Sequence, residues 1–182
     1  MGSKVISKVT TPAFRVSFPN VFEPQSFDGG DPKYGLTMLF DSDADLSELR
    51  EAAKRAAREK WGDKIPAGLR SPFRDGAEKP DLDGYEGKIF VRATCKTKPG
   101  LVDLAVKPII DPSEFYAGCY AIATVQAYAY DTKGNRGVSF GLLNIQKQKD
   151  GTPFSGRSRP EDDFKPVAAH AATASDSTDD LF

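Results

Sequence analysis

Cationic and aromatic side chains alternate with apolar ones along residues 88–96 of this 182-residue chain. Successive side chains of a β-strand point to opposite faces, so this alternation separates an apolar face from a basic one. Cations follow the phosphates of a nucleic acid, and an exposed ring offers a flat surface on which a base can stack. The segment therefore predicts one wall of a groove for a single strand of nucleic acid. Its candidate contacts are Lys88, Phe90, Arg92 and Lys96.

A turn-rich loop and the first predicted strand offer further contacts of the same kind. In the loop, Phe73 lies between Arg70 and Arg74, an arrangement that can close over a strand of DNA. Arg15 lies on the outward face of the first predicted strand and extends the track of cations. None of these signals is specific alone, and the prediction rests on their convergence.

Two tyrosines near the end of a long predicted strand, residues 115–130, form another candidate surface. Tyr128 and Tyr130 share one face of that strand, and Arg136 follows them in the next connection. An aromatic and basic rim of this kind would suit a nucleic acid. Tyrosines at the end of a barrel are equally often core residues whose hydroxyl is hydrogen-bonded, so both interpretations stay open.

Catalytic classes find little support in the sequence. The sole histidine, His170, lies in a predicted flexible tail, and the chain has neither a phosphate-binding GxxxxGK[ST] loop nor a dinucleotide fingerprint. A metal-dependent nuclease is one alternative, because acidic side chains cluster in one turn-rich loop. We expect these acids to face solvent, and we predict no catalytic activity, no cofactor and no bound metal. The acids are Asp75, Glu78, Asp81, Asp83 and Glu86.

Cysteine usage and hydropathy place the chain among cytoplasmic proteins. Cys95 and Cys119 lie in apolar, strand-like segments without CxxC spacing, so we expect small core residues and neither a zinc site nor a disulfide. No apolar run approaches the roughly 20 residues that span a bilayer, and the N-terminus has no signal-peptide core. The sequence therefore predicts a cytoplasmic protein with no membrane partner.

Charge divides the chain into a body and a tail. Residues 161–182 contain six acids and one base, a net charge of −5, whereas residues 1–160 contain 24 bases and 20 acids, a net charge of +4. A basic body with an acidic tail is typical of nucleic-acid binders that carry an interaction tail. We expect this flexible tail to bind a basic groove with an apolar floor, on a partner or on this chain, and a pure protein–protein adaptor is the second alternative. The candidate tail contacts are Asp176, Asp179, Asp180, Leu181 and Phe182.

Most of residues 1–160 show the period-two alternation of β-strands. In the first strand, Phe14, Val16 and Phe18 point one way, which predicts a shared core face. Turn-forming residues at 134–137 predict that the last two strands form a hairpin.

One segment has the periodicity of a helix and not of a strand. Residues 45–61 have the periodicity of an amphipathic helix that Asp45 caps and Gly62 ends, and residues 62–87 read as a long loop. We therefore predict a mainly β, OB-fold-like antiparallel barrel with one inserted α-helix and long loops, and a β-sandwich as the second choice. This domain would cover residues 1–160, ahead of the acidic tail.

Several stretches of the sequence also resemble a known family. They are residues 11–22 (TPAFRVSFPNVF), 74–76 (RDG), 85–87 (YEG), 116–120 (YAGCY) and 137–142 (GVSFGL). In this order they span most of the body, and together they resemble bacteriophage single-stranded-DNA-binding proteins. Members of that family have an OB-fold core and an acidic tail that ends in an aromatic residue, which residues 179–182 (DDLF) match.

The resemblance implies a non-catalytic protein that coats and protects single-stranded DNA in phage replication, recombination and repair, in the cytoplasm of the infected bacterial host. Its tail would recruit replication proteins such as a polymerase, a primase-helicase or a nuclease. This tail is shorter and less acidic than the most highly charged examples, which limits the strength of any effect that it exerts. A homodimer is left open.

Overall fold

The computed structural model describes residues 8–26, 29–154 and 164–167. The predicted tail contacts at residues 176–182 lie outside the described residues. Within the described ranges the chain forms eight strands and one α-helix. In chain order they are β1 (Lys8–Thr10), β2 (Phe14–Gln25), β3 (Lys33–Asp41), α1 (Ser47–Trp61), β4 (Arg74–Asp75), β5 (Lys88–Cys95), β6 (Gly100–Val102), β7 (Tyr120–Thr132) and β8 (Asn135–Lys149).

Five of the strands hydrogen-bond in a ring-like circuit, in the order β7, β2, β3, β5, β8 and back to β7. β1 and β6 extend the sheet at β7 and β8, and β4 pairs with β5. The circuit is not a true barrel, since β5 and β8 pair only at Ala93–Phe140 and Thr94–Gly141. The predicted mainly β, OB-fold-like architecture with one inserted helix is confirmed. One detail is corrected, because β8 runs parallel to β5 and β6.

The hairpin of β7 and β8 pairs the two strands from the turn to their far ends. Its two-residue turn is Lys133–Gly134, and both residues have positive φ (51° and 84°), which matches the twist of the flanking strands. The predicted hairpin is present. The turn lies earlier than the predicted centre at residues 134–137 and shares only Gly134 with it. The reason is that Asn135 already pairs with Thr132 at the end of β7.

Helix α1 packs its apolar face against β7 and β8. It begins at Ser47, two residues later than predicted, because Asp45 accepts a hydrogen bond from the Ser47 N–H (3.1 Å) without capping the helix. Hydrogen bonds from Ser47 hold the pKa of the Asp45 carboxyl below its usual value. Gly62 ends the helix as predicted, with its N–H donating to the Arg58 carbonyl (2.7 Å). In the described ranges, no helix has the length and apolar character that crossing a membrane requires.

A bulge in β2 reverses the predicted direction of one aromatic side chain. The register against β3 shifts between Ser17 and Asn20, where Pro19 has no N–H with which to continue the ladder. Val16 is fully buried, as its face predicts, whereas Phe18 has a φ of 46° and is 50% exposed. The prediction that Phe18 joins the core is therefore wrong.

Both cysteines are free thiols. Cys119 is fully buried in the core, and Cys95 is partly buried and packs against the core. Burial raises the pKa of both thiols above the usual value. The two side chains therefore stay protonated at neutral pH and fill space, in agreement with the sequence.

Gly76 fixes the turn that follows β4 against the chain at Tyr85. A Cβ atom at position 76 would lie 1.6 Å from the carbonyl oxygen of Tyr85, which is far inside van der Waals contact. Asp75 completes the turn by accepting a hydrogen bond from the Ala77 N–H (2.9 Å). Glycine is thus required where the loop passes beneath Tyr85.

We expect Gly76→Ala to lower the free energy of unfolding by about 3 kcal/mol or more, the upper end of the usual cost of overpacking. Gly68→Ala is the matched control. Gly68 has a φ of +77° but nothing within 4 Å of an added Cβ, so only left-handed strain of about 1–2 kcal/mol applies there. Urea unfolding followed by circular dichroism measures both variants, and equal losses would contradict the close contact at Gly76.

Candidate nucleic-acid interface

A groove with a volume of about 870 Å³ opens between β5, the loop that precedes β4, and the β7–β8 hairpin. It brings together sequence-predicted contacts from three separate segments of the chain. These contacts are Arg70, Phe73, Arg74, Phe90, Arg92 and Tyr130.

The loop that carries Arg70 and Phe73 is fastened to the start of β8. The Arg70 N–H donates to the Arg136 carbonyl (2.9 Å), and the Arg70 carbonyl accepts a second hydrogen bond from β8 (3.2 Å). Gly137 permits this approach, because a Cβ there would lie 2.7 Å from the Arg70 carbonyl oxygen. The Phe73 ring then meets the buried Phe140 ring edge-on, with 5.9 Å between centroids. The sheet thus positions this wall of the groove.

Two predicted stacking rings are covered by arginines. Phe90 is only 6% exposed, because Tyr85 meets it edge-on (5.3 Å between centroids) and the Arg74 guanidinium carbon lies 5.0 Å from its centroid. The prediction of an exposed Phe90 ring is wrong, since strand alternation gives a face but not the loop that covers it. The Arg50 guanidinium carbon lies over the Phe73 ring in the same way, 4.8 Å from its centroid. Each ring thus supports one guanidinium group.

Phe18 is the exposed aromatic side chain of the groove that sequence reasoning missed. It is 50% exposed and lines the groove, and Tyr130 lines it as a partly buried ring. The available signal was Pro19, since a proline inside a predicted strand indicates an edge or a bulge that can turn a side chain to the other face. Phe18 also adopts a left-handed φ that is rare for a residue with a Cβ, and such conformations cluster at functional sites.

The groove has an excess of positive charge. Among its lining residues Glu78 is the one carboxylate, and it pairs with Arg74 (2.6 Å between N and O). The remaining cations suit a polyanion, because low-dielectric walls strengthen their attraction for phosphate. The four lining cations are Arg70, Arg74, Lys79 and Arg92.

Two smaller pockets adjoin the groove through shared residues. One, of about 390 Å³, shares Arg74 with the groove and adds Arg50 and the predicted contact Lys88. The other, of about 300 Å³, shares Arg92 and adds Lys33 from the start of β3. The smaller pockets also contain one carboxylate each, Asp75 and Asp31, and Lys88 forms an ion pair with Asp41, so the excess of positive charge is largest in the groove itself. Arg50 of α1 reaches the first of these pockets through its contact with the Phe73 ring in the loop before β4.

Arg15 has a structural position away from the groove. Its guanidinium donates to the carbonyls of Gly118 (3.1 Å) and Thr152 (2.6 Å), and its Cζ lies 4.2 Å from the centroid of the Phe154 ring. Arg15 therefore fastens the chain that follows β8 to β2. Its place on the predicted cation track is not supported by this geometry.

Three other predicted contacts also lie outside the groove lining. Arg136 forms an ion pair with Asp131 (3.1 Å) near the hairpin turn. Tyr128 is 41% exposed on β7, and Lys96 is exposed just beyond the end of β5. The sequence pattern identified their exposure but not their distance from the groove.

The five acids between residues 75 and 86 are all exposed, as the sequence predicts, and two of them make local contacts. Asp75 binds the Ala77 N–H, and Glu78 accepts two hydrogen bonds from Arg74 (2.9 and 2.6 Å). Within the ranges that the structure describes, no group of three or more histidine, cysteine or acidic side chains is placed to hold a metal ion. The geometry offers the nuclease alternative no support.

Comparison with known proteins gives consistent matches. A family described as "Enterobacter phage Enc34, ssDNA-binding protein" matches residues 7–181. Protein p50 of Acyrthosiphon pisum secondary endosymbiont phage 1 is 36% identical over 155 residues, which cover 78% of this chain and 83% of that protein.

Solved structures of phage proteins share the fold. The single-stranded-DNA-binding protein of bacteriophage Enc34, in complex with ssDNA, matches with a TM-score of 0.72 and 23% identity, over 84% of this chain and 96% of that one. Bacteriophage T7 gp2.5, a single-stranded-DNA-binding protein, matches with a TM-score of 0.60 and 12% identity, over 84% of this chain and 97% of that one. The family match over residues 7–181 confirms the predicted resemblance and, with it, the prediction of a non-enzymatic binding protein. This chain belongs to the Enc34 phage family of single-stranded-DNA-binding proteins.

Proposed function

We propose that the protein binds single-stranded DNA without sequence preference, and coats and protects it during phage replication, recombination and repair in the cytoplasm of the infected host. The observation that carries this proposal is the groove in which Phe18 and Tyr130 lie among four cations. Stacking and phosphate contacts do not depend on base identity, because every base has a π-face and every nucleotide a phosphate. Family membership supports the same ligand.

The adjoining pockets indicate how a strand would continue beyond the groove. Arg92 lies where the groove meets the pocket at Lys33, and Arg74 lies where it meets the pocket at Lys88 and Arg50. Cations at both junctions would keep a phosphate backbone in contact as it passes from one space to the next. A strand that occupies all three pockets would cross β5 and reach the N-terminal turns of α1.

We expect the protein to bind oligo-dT more tightly than duplex DNA, with a strong dependence on salt. The groove lining carries four cations and one carboxylate, so three neutralised phosphates would give a slope of log K against log salt of about −2.1, at roughly −0.7 for each contact with a single strand. Arg70→Ala should reduce the magnitude of that slope by about 0.7. Fluorescence anisotropy with labelled oligonucleotides measures both quantities.

Lys54→Ala is the matched control for that measurement, because Lys54 is an exposed cation of α1 that lines none of the three spaces. Equal affinity for oligo-dT and duplex DNA, or no binding at low salt, would refute the proposed function. If Lys54→Ala reduced the salt slope as much as Arg70→Ala does, the phosphates would lie on the outer face of the helix.

Phe18→Ala should weaken oligo-dT binding roughly 5- to 150-fold, since one base stacked on a ring contributes about 1–3 kcal/mol. The salt slope should stay unchanged, because no phosphate contact is lost. Tyr128→Ala provides the comparison, as Tyr128 is similarly exposed but lies outside the groove. A loss at Tyr128 with none at Phe18 would move base stacking from the groove to the hairpin.

The acidic tail at residues 161–182 is proposed to compete with DNA for the basic groove and, once displaced, to recruit replication proteins such as a polymerase, a primase-helicase or a nuclease. Its net charge of −5 and its ending Asp179-Asp180-Leu181-Phe182 support this proposal. Acidic side chains can take the place of phosphates, and the terminal ring can take the place of a base.

Removal of residues 161–182 should tighten oligo-dT binding at low salt and abolish recruitment of a replication protein in a pull-down. Replacement of Asp176, Asp179 and Asp180 by Asn tests charge separately from length, and should reproduce most of the gain in affinity. Affinity that does not change at low salt would disprove competition. A flat oligonucleotide titration with recruitment intact would favour the protein–protein adaptor.

A further inference from the structure

We infer that the hydrogen bond between Ser17 and Tyr85 positions Phe18 for base stacking, so that two hydroxyl groups set the affinity for DNA through a third residue. This inference rests on the proposed function. It concerns a buried pair of hydroxyl groups to which the proposed stacking and phosphate contacts assign no role. Ser17 directly precedes Phe18 in the chain, and Tyr85 lines the same groove as Phe18.

The backbone pairing of β2 does not by itself fix Phe18. Ser17 pairs with Thr37 of β3 and Asn20 pairs with Gly35, so Phe18 and Pro19 have no register partner between them. Phe18 also adopts a φ of 46°, which is unfavourable for a side chain with a Cβ. Such a conformation persists only where surrounding contacts hold it.

Ser17, at the edge of the bulge, forms a hydrogen bond with the Tyr85 hydroxyl. Their oxygens lie 2.9 Å apart, and the two residues are 3% and 2% exposed. They are 68 positions apart in the sequence, so this bond joins the bulge of β2 to the loop before β5. A buried hydroxyl that loses its partner is costly, which favours the paired arrangement.

Tyr85 is a fixed anchor for this bond. Its ring meets Phe90 edge-on at 5.3 Å and packs with Leu39, and its carbonyl lies against Gly76. Because these contacts leave Tyr85 little freedom, its hydroxyl defines where Ser17 lies. The adjacent Phe18 backbone is then held in the conformation that directs the ring into the groove.

A purely structural role for the bond would affect stability and leave Phe18 in place. The two roles are separated by three variants that remove hydroxyl groups: Tyr85→Phe, Ser17→Ala and the two combined. Tyr85→Phe keeps the ring that packs on Phe90. The combined variant leaves neither hydroxyl without a partner, so most of the lost stability should return.

We expect Tyr85→Phe and Ser17→Ala each to weaken oligo-dT binding about fivefold, a part of the loss expected for Phe18→Ala. The combined variant should regain stability in urea unfolding but keep the weakened binding. In a Phe18→Ala background the same changes should alter affinity by less than about twofold, because they act through the missing ring. The salt slope should not change in any of them.

Tyr116→Phe is the matched control. Tyr116 also uses its hydroxyl in hydrogen bonds, to Asp150 (3.0 Å) and to the Gly151 carbonyl (3.1 Å), but it does not line the groove. Removing that hydroxyl should lower stability and leave oligo-dT affinity unchanged.

The outcomes separate the inference from the function on which it rests. Wild-type binding that falls in Phe18→Ala but not in Tyr85→Phe or Ser17→Ala would overturn the inference alone. An equal fall with and without the Phe18 ring, or affinity that recovers with stability in the combined variant, would also overturn it. Wild-type protein that fails to prefer oligo-dT would refute the proposed function, and the inference with it.

Discussion

The structure depends on the strand that closes its circuit, β8. β8 forms the long hairpin with β7 along one edge, and along the other it pairs in parallel with β5 and β6. This double pairing closes the ring-like circuit and brings the start of β8 beside the loop at Arg70, where Gly137 lets the two backbones meet. The groove therefore exists because of the way the sheet closes. Its walls come from segments that the circuit brings together, although they are far apart in sequence.

The elements themselves could be predicted from local pattern. Period-two alternation predicted the long strands, and the apolar stripe of residues 45–61 predicted the helix with its end at Gly62. The short strands β1 and β4 were not predicted, because two or three residues are too few to show a period, and β4 lies within residues 62–87, which read as a loop. Phe18 could not be assigned correctly in this way, because a bulge changes the parity of a strand and alternation assumes that no bulge is present. Pro19 was the clue, and it outweighs the alternation because a missing N–H interrupts the ladder whatever side chains follow.

The residues of the candidate site could be predicted from the sequence better than their positions relative to one another. Arg70, Phe73 and Arg74 were predicted because an aromatic side chain between two arginines on a turn-rich loop can close over a strand of DNA, and all three line the groove. Phe90 and Arg15 were assigned to the right strand faces, yet what covers a face is decided by tertiary contacts. Tyr85 and the loop cover Phe90, and the carbonyls of the chain after β8 engage Arg15. No local pattern contains that information.

The arginines that rest on rings have a consequence for the thermodynamics of binding. An arginine in solution samples many rotamers, and fixing such a side chain at an interface costs about 0.5–1.5 kcal/mol. Arg74 above Phe90 and Arg50 above Phe73 have already lost part of that freedom in the free protein. These two side chains lose conformational entropy when the protein folds, and their contacts with the rings offset that loss. A single strand of DNA bound as proposed would therefore meet guanidinium groups that are already in place, and less of its interaction energy would be consumed in ordering them.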